Sequence, residues 1–117
     1  MDLNAWKAQL RKRAAKLAVL ALLHRDEMYG VQLLERLQAE GGLEISDGSI
    51  YPLLRRLQKD GKFRGRWVEE EEATHPRRYY SLTNAGRQML LAMRAEWTAF
   101  EASMRRLLRE EPVRATR

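Results

Sequence analysis

Cysteine is absent from this chain, which rules out a disulfide framework, a thiolate nucleophile and any cysteine-ligated zinc site. Such usage fits a reducing compartment. Histidine is scarce: His24 falls at the end of a helical pattern and His75 in a polar turn, and neither has histidine or carboxylate companions at metal-ligand spacing. No glycine-rich phosphate loop occurs, since Gly41-Gly42 reads only as a turn. The longest apolar run, Leu17 to Leu23, is far short of the ~18 residues that a membrane span needs. No small-residue cleavage site follows an apolar stretch near the N-terminus, so no signal peptide is read and the expected location is the cytoplasm. The acidic run Glu69 to Glu72 reads as solvated loop rather than as paired catalytic carboxylates. Little remains from which to build an enzyme, and no metal or other cofactor is expected.

What the chain has is positive charge. Its 117 residues carry a net charge of +6, with a pI near 10.1. That length is one domain, and its basicity suits nucleic acid or another anionic surface. A chain this short buries a limited share of its surface alone and gains stability from a partner.

The periodicity predicts four helices and one hairpin. The first block, Leu3 to His24, places Trp6, Leu10, Leu17, Leu20 and Leu23 at helical spacing; its first half is basic, and Ala18 to Leu23 is apolar nearly all round. Arg25 to Met28 reads as a turn, and Tyr29 to Glu40 as a second helix stopped by Gly41-Gly42. After an extended connector, a third helix begins near Ser46 or Asp47, with Ile50, Leu53, Leu54 and Leu57 as its core stripe and Gly61 as its stop. Pro52 implies that regular bonding begins close to it. Phe63 to Glu70 alternates as a strand, Glu71 to His75 is a loop, and Arg77 to Leu82 is the return strand. Thr83 caps a final helix reaching about Glu110, with a frayed tail after Pro112. The expected fold is mainly α with a small β-hairpin: a winged helix-turn-helix over residues 1–82, a dimerisation helix over 83–111 and a tail over 112–117.

On the third helix, Arg55 and Lys59 fall opposite the apolar stripe, with Arg56 on its flank. Gly48 lets backbone approach a phosphate, and Ser49 and Tyr51 bring hydroxyls to the end of a recognition helix that reads bases. His75, Arg77 and Arg78 are expected to cluster on the wing, and Arg64 and Arg66 add charge on the opposing strand. The acidic tip is expected to lean away from phosphate. A protein-docking module and a membrane-binding first helix are the competing readings.

Three motifs then resemble one family in order, over Leu17 to Leu90. Tyr29-Gly30-Val31-Gln32-Leu33 is similar to the H/Y-G-Y-E-L stretch of the PadR family of transcriptional regulators. The run Ser46 to Leu57 resembles that family's S-x-G-T-L-Y-P-x-L-x-R-L recognition helix, and Pro76 to Gly86 its P-R-K-Y-Y-x-L-T-x-x-G wing-to-helix junction. The resemblance implies a dimeric winged-helix repressor on a palindromic operator of double-stranded DNA. The contact candidates it marks most strongly are Tyr29, Gly48, Ser49, Tyr51 and Arg77, to which Arg55, Lys59 and Arg78 are added from the helix and wing. Two departures stand out: Arg11-Lys12-Arg13 replaces R-K-G, and Lys62 replaces an apolar residue expected to be buried.

The final helix spaces Leu90, Met93, Trp97, Phe100, Met104 and Leu107 by threes and fours. That is a seam of under three heptads, and with Trp6 and Leu10 it is expected to meet a second copy. Trp6, Met93, Trp97 and Phe100 are also candidates to line a pocket for a planar aromatic effector, as the family resemblance implies; ordinary packing is the favoured alternative. No membrane partner is expected.

Overall fold

The computed structural model describes residues 1–40, 43–71 and 74–109. In chain order the elements are α1 (Asn4–Arg25), β1 (Met28–Tyr29), α2 (Gly30–Ala39), α3 (Asp47–Lys59), β2 (Phe63–Val68), β3 (Arg77–Leu82) and α4 (Asn84–Leu108). Gly41-Gly42, Glu72, Ala73 and the tail from Glu110 lie outside the described residues, and with them the expected stop of α2, part of the wing loop and the fraying.

Helix α1 divides as its composition dictates. Asn4 to Leu10 are exposed, whereas Val19, Leu20, Leu22 and Leu23 are buried. These pack with Leu33 and Leu37 of α2 and with Ile50, Leu54 and Leu57 of α3 into a single core, closed by Phe63, Leu82 and Leu90. The molecule is elongated, 64 × 30 × 20 Å.

The sheet differs from the expected hairpin. It has three antiparallel strands in the order β1-β3-β2. Met28 pairs with Tyr80 and Tyr29 with Tyr79, so the segment read as a turn running into a helix start is an edge strand. Two residues are too few for an alternating pattern to be visible. Tyr29 serves both elements because a residue that precedes a helix is extended anyway; its N–H donates to Gln32 Oε1 at 3.2 Å.

Helix α3 starts at Asp47 with Ser46 as its N-cap, as expected. Ser46 caps through its backbone, its carbonyl accepting from the N–H groups of Ser49 and Ile50, both at 3.0 Å. Pro52 therefore stands inside the helix. The carbonyl it leaves without a donor belongs to exposed Gly48, where water can serve. The C-terminus closes through Gly61 at φ +75°, with Lys62 N–H bonding Leu57 O at 2.9 Å and Gly61 N–H bonding Gln58 O at 3.0 Å.

This geometry accounts for Lys62. The position is used for its backbone: besides the N–H just named, its carbonyl accepts from Thr83 N–H at 3.1 Å. The side chain is half-exposed and its charge is tolerated, contrary to the expected burial. A Cβ on Gly86 would lie 2.2 Å from that same carbonyl oxygen. Thr83 Oγ1 accepts from Gly86 N–H at 3.1 Å and donates to Gly61 O at 2.6 Å. One threonine thus binds the end of α3 to the start of α4.

Candidate nucleic-acid interface

Burying Ile50, Leu54 and Leu57 leaves the opposite face of α3 to solvent. Gly48, Ser49, Arg55, Arg56 and Lys59 all lie exposed there. Among the described residues, none of these three cations is paired with a carboxylate. Tyr51 is only half-exposed: its ring lies over Gly30, where a Cβ would be 2.8 Å from Cε1. Gly30 makes room for this ring, so part of what Tyr51 does is to pack α3 against the start of α2.

Beside α3 stands the sheet. Phe63, Tyr80, Leu82 and Met28 turn to the core, so alternation puts Arg64, Arg66, Arg77, Tyr79 and Tyr29 on the opposite face. Arg77 and Arg78 are adjacent on one strand and point to opposite faces, which corrects the expected cluster. Arg78 instead lies 5.3 Å from the Trp67 ring centroid, and its guanidinium covers Gly65 so closely that a Cβ there would be 2.6 Å from Nε.

Arg77 is held on three sides. Nη1 donates to Glu70 Oε2 at 3.0 Å and to the Tyr29 hydroxyl at 3.2 Å, and the guanidinium carbon is 4.6 Å from the Tyr29 ring centroid. Tyr79 O–H donates to the other oxygen of Glu70, and its ring meets Tyr29 edge-on at 5.3 Å. The bond to Glu70 raises the Tyr79 phenol above its ordinary value, with burial adding to it. Glu70 was expected in an acidic tip that leans away; it turns back onto the arginine. The strand register explains this, since Glu70 stands two residues beyond Val68, the cross-strand partner of Arg77. Nearer the core, Arg66 forms a two-pronged pair with Glu27, Nε to Oε2 at 2.9 Å. Hydrogen bonding from Arg66 holds Glu27 below the usual carboxylate range.

A second surface is apolar. Between α1 and α4 lies an open cleft of about 600 Å³ walled by Trp6, Leu10, Leu17, Met93, Trp97 and Phe100. The Trp97 and Phe100 rings are 6.0 Å apart. Trp6 (63%), Phe100 (56%) and Leu107 (80%) are strongly exposed, and Leu10, Trp97 and Met104 are also open to solvent. Leu90 is the exception. At 1% exposure it belongs to this chain's own core and is not available to a second copy, because the seam's first turn already packs on the helical cluster. Among the described residues no group of three or more His, Asp or Glu side chains is placed to hold a metal, and no helix is long and apolar enough to cross a membrane.

Three helices with a core at their centre, the third running straight into a strand pair that folds back beside it, make a winged helix-turn-helix. Within that class the chain belongs to the PadR-like family of transcriptional regulators, whose family model matches residues 19–92. It is 32% identical over 84 residues to the transcriptional regulator Rv3488 of Mycobacterium tuberculosis, covering 70% of this chain and 74% of that one. The PadR-like transcriptional regulator of Bacillus cereus superposes with a TM-score of 0.80 at 30% identity, over 88% of this chain and 99% of that chain. A PadR family regulator from Eggerthella lenta superposes at 0.79 with 29% identity, over 93% and 94%.

Proposed function

We propose that this regulator is a sequence-specific repressor that binds double-stranded DNA as a homodimer on a palindromic operator in the cytoplasm. The observation that carries the reading is the outer face of α3: Arg55, Arg56 and Lys59 stand exposed, without a carboxylate partner among the described residues, next to an arginine-bearing sheet. A helix of this kind enters the major groove and reads bases from its first turns, while phosphate contacts set its register. Gly48, Ser49 and Tyr51 are the base-proximal group; Arg55, Lys59 and Arg77 meet phosphate; Tyr29 works through Arg77, which it carries. Arg78, on the other face of the sheet, reaches DNA only from the wing's outer edge.

Trp6, Leu10, Trp97, Phe100, Met104 and Leu107 form the surface that a second copy covers, with α4 as the dimerisation helix. Met93 sits at its inner rim. Two-fold symmetry then sets the half-sites about one helical turn apart, ~34 Å. The aromatic cleft favours a further reading, a planar aromatic effector held against Trp6, Met93, Trp97 and Phe100.

The test is an anisotropy titration on DNA from upstream of the protein's own gene, at two salt concentrations and with mixed-sequence competitor. Binding that survives competitor establishes sequence-specific recognition. Binding equal on all DNA removes it. A monomer by solution mass at micromolar concentration removes the homodimer, and tryptophan fluorescence unmoved by any planar aromatic removes the effector.

A further inference from the structure

Helix α1 holds six Lys and Arg residues and no carboxylate, so the chain's whole excess of +6 resides in it; the remainder carries sixteen Lys and Arg against sixteen Asp and Glu. Five of the six fall between Lys7 and Lys16, the half of the helix that reaches beyond the core.

That half has two distinct faces. Trp6, Leu10 and Leu17 turn to the cleft against α4. Lys12 and Lys16, one turn apart, turn instead toward α3. With Arg13 they line one side of a groove of about 420 Å³ whose other side is Ser49, Pro52 and Arg56 of α3. Arg11, by contrast, is tied to Glu44 at 2.8 Å. Lys12, Arg13, Lys16 and Arg56 have no carboxylate partner among the described residues.

The groove borders the face of α3 proposed to enter DNA. On the other flank of α3, Tyr51 touches Gly30, which adjoins Tyr29 under Arg77. The candidate interface is therefore a band with α3 in the middle, the sheet on one side and α1 on the other. A duplex seated on α3 has a phosphate backbone on each side of the major groove, and the wing accounts for only one of them.

We propose that Lys12 and Lys16 of α1 are phosphate-contacting residues, forming a second backbone clamp across α3 from the wing. The proposal rests on the DNA-binding reading above. DNA is favoured over a lipid surface because a membrane-bound amphipathic helix must bury its apolar face in the headgroup region. Here the apolar face of α1 is turned to α4, and the basic one opens onto the recognition helix. The contacts are to phosphate, so they add affinity and no base preference.

The experiment measures binding of the full chain to a mixed-sequence duplex and to upstream DNA between about 50 and 200 mM salt, comparing the parent with Lys12→Gln/Lys16→Gln and Lys12→Arg/Lys16→Arg. Thermal unfolding of each checks that the changes, at exposed Lys12 and half-exposed Lys16, leave the fold intact. Loss of two phosphate contacts in each protomer, four in the homodimer, lowers the slope of log K against log salt by about 3.6 and weakens binding about 4,000-fold near 0.1 M salt. The loss is equal on both DNAs, and the arginine pair retains the parent slope. A glutamine pair that binds like the parent overturns this proposal alone. So does a pair that keeps its DNA slope but loses flotation with anionic phosphatidylserine vesicles, which assigns the lysines to lipid. A parent that binds neither DNA removes the DNA-binding reading and this one with it.

Discussion

Two cationic parts of the candidate interface, α3 and the sheet, are built on opposite principles. On α3, Arg55, Arg56 and Lys59 are free side chains on a rigid helix. On the sheet, Arg77 is held by Glu70 and Tyr29, Arg66 by Glu27, and Arg78 by the Trp67 ring. Free cations bring full charge to a phosphate backbone and surrender rotamer freedom when they bind. Held ones are already in position, but at Arg66 and Arg77 a neighbouring carboxylate has cancelled part of their field. The comparison teaches that counting arginines overstates the wing: Arg66 and Arg77 contribute placement more than net charge, and the larger electrostatic attraction comes from α3 and α1.

The largest expected effect follows from removing the free set. Arg55→Ala/Arg56→Ala/Lys59→Ala lowers the salt slope by about 2.7 and weakens DNA binding about 500-fold near 0.1 M salt for each protomer of the homodimer, if each side chain contacts one phosphate. An effect of tenfold or less would invert the comparison. Next in size is Glu70→Gln, which keeps the shape of the acceptor and discards its charge. For each protomer of the homodimer it should tighten binding by up to about eightfold and steepen the slope by about one, as Arg77 regains its field. Weaker binding instead would mean that Glu70 is needed to aim Arg77. Smaller again is Tyr79→Phe, which removes the donor to Glu70 and leaves the arginine in place. Its expected outcome is a drop in Tm of at most a few degrees, with DNA affinity within about twofold of the parent.

The smallest effect concerns pH. Glu27 is held below its ordinary value, so its pair with Arg66 stabilises the fold above about pH 4.5 and is lost as pH falls through the lowered value. Tyr79 is shifted upward, so its contribution is full below its ordinary value of 10.0 and is lost as pH rises through the raised one. Acid titration by circular dichroism should show Glu27→Gln with a slightly flatter acid limb than the parent, and the alkaline limb unchanged. Equal acid limbs would show that this exposed pair adds nothing to the fold.

Much of the architecture was legible because its signals are long. The stripe Ile50, Leu54, Leu57 and the alternation from Phe63 to Val68 each repeat several times, and the structure follows both. Strand β1 was not legible, since two residues carry no period. The same limit explains Leu90. Helical spacing shows that it shares a face with Trp97 and Phe100, but not where along α4 that face passes from the chain's own core to open solvent. At the candidate site, Arg55 and Lys59 could be placed from one helix alone. The splitting of Arg77 from Arg78, the return of Glu70 and the approach of Lys12 and Lys16 to Ser49 each depend on how separate elements meet.

The corner at Thr83 has a geometric consequence. One hydroxyl closes onto Gly61 and Gly86 together, while a Cβ at Gly86 would strike the Lys62 carbonyl. Helices α3 and α4 therefore meet as two arms of a calliper pinned at one corner. Helix α4 runs for 25 residues, about 37 Å at 1.5 Å per residue, so a tilt of about 5° at the corner carries its far end through about 3 Å. In an assembly joined through α4, the gap between two recognition helices is gauged at this corner, and whatever shifts the joined ends resets the gauge.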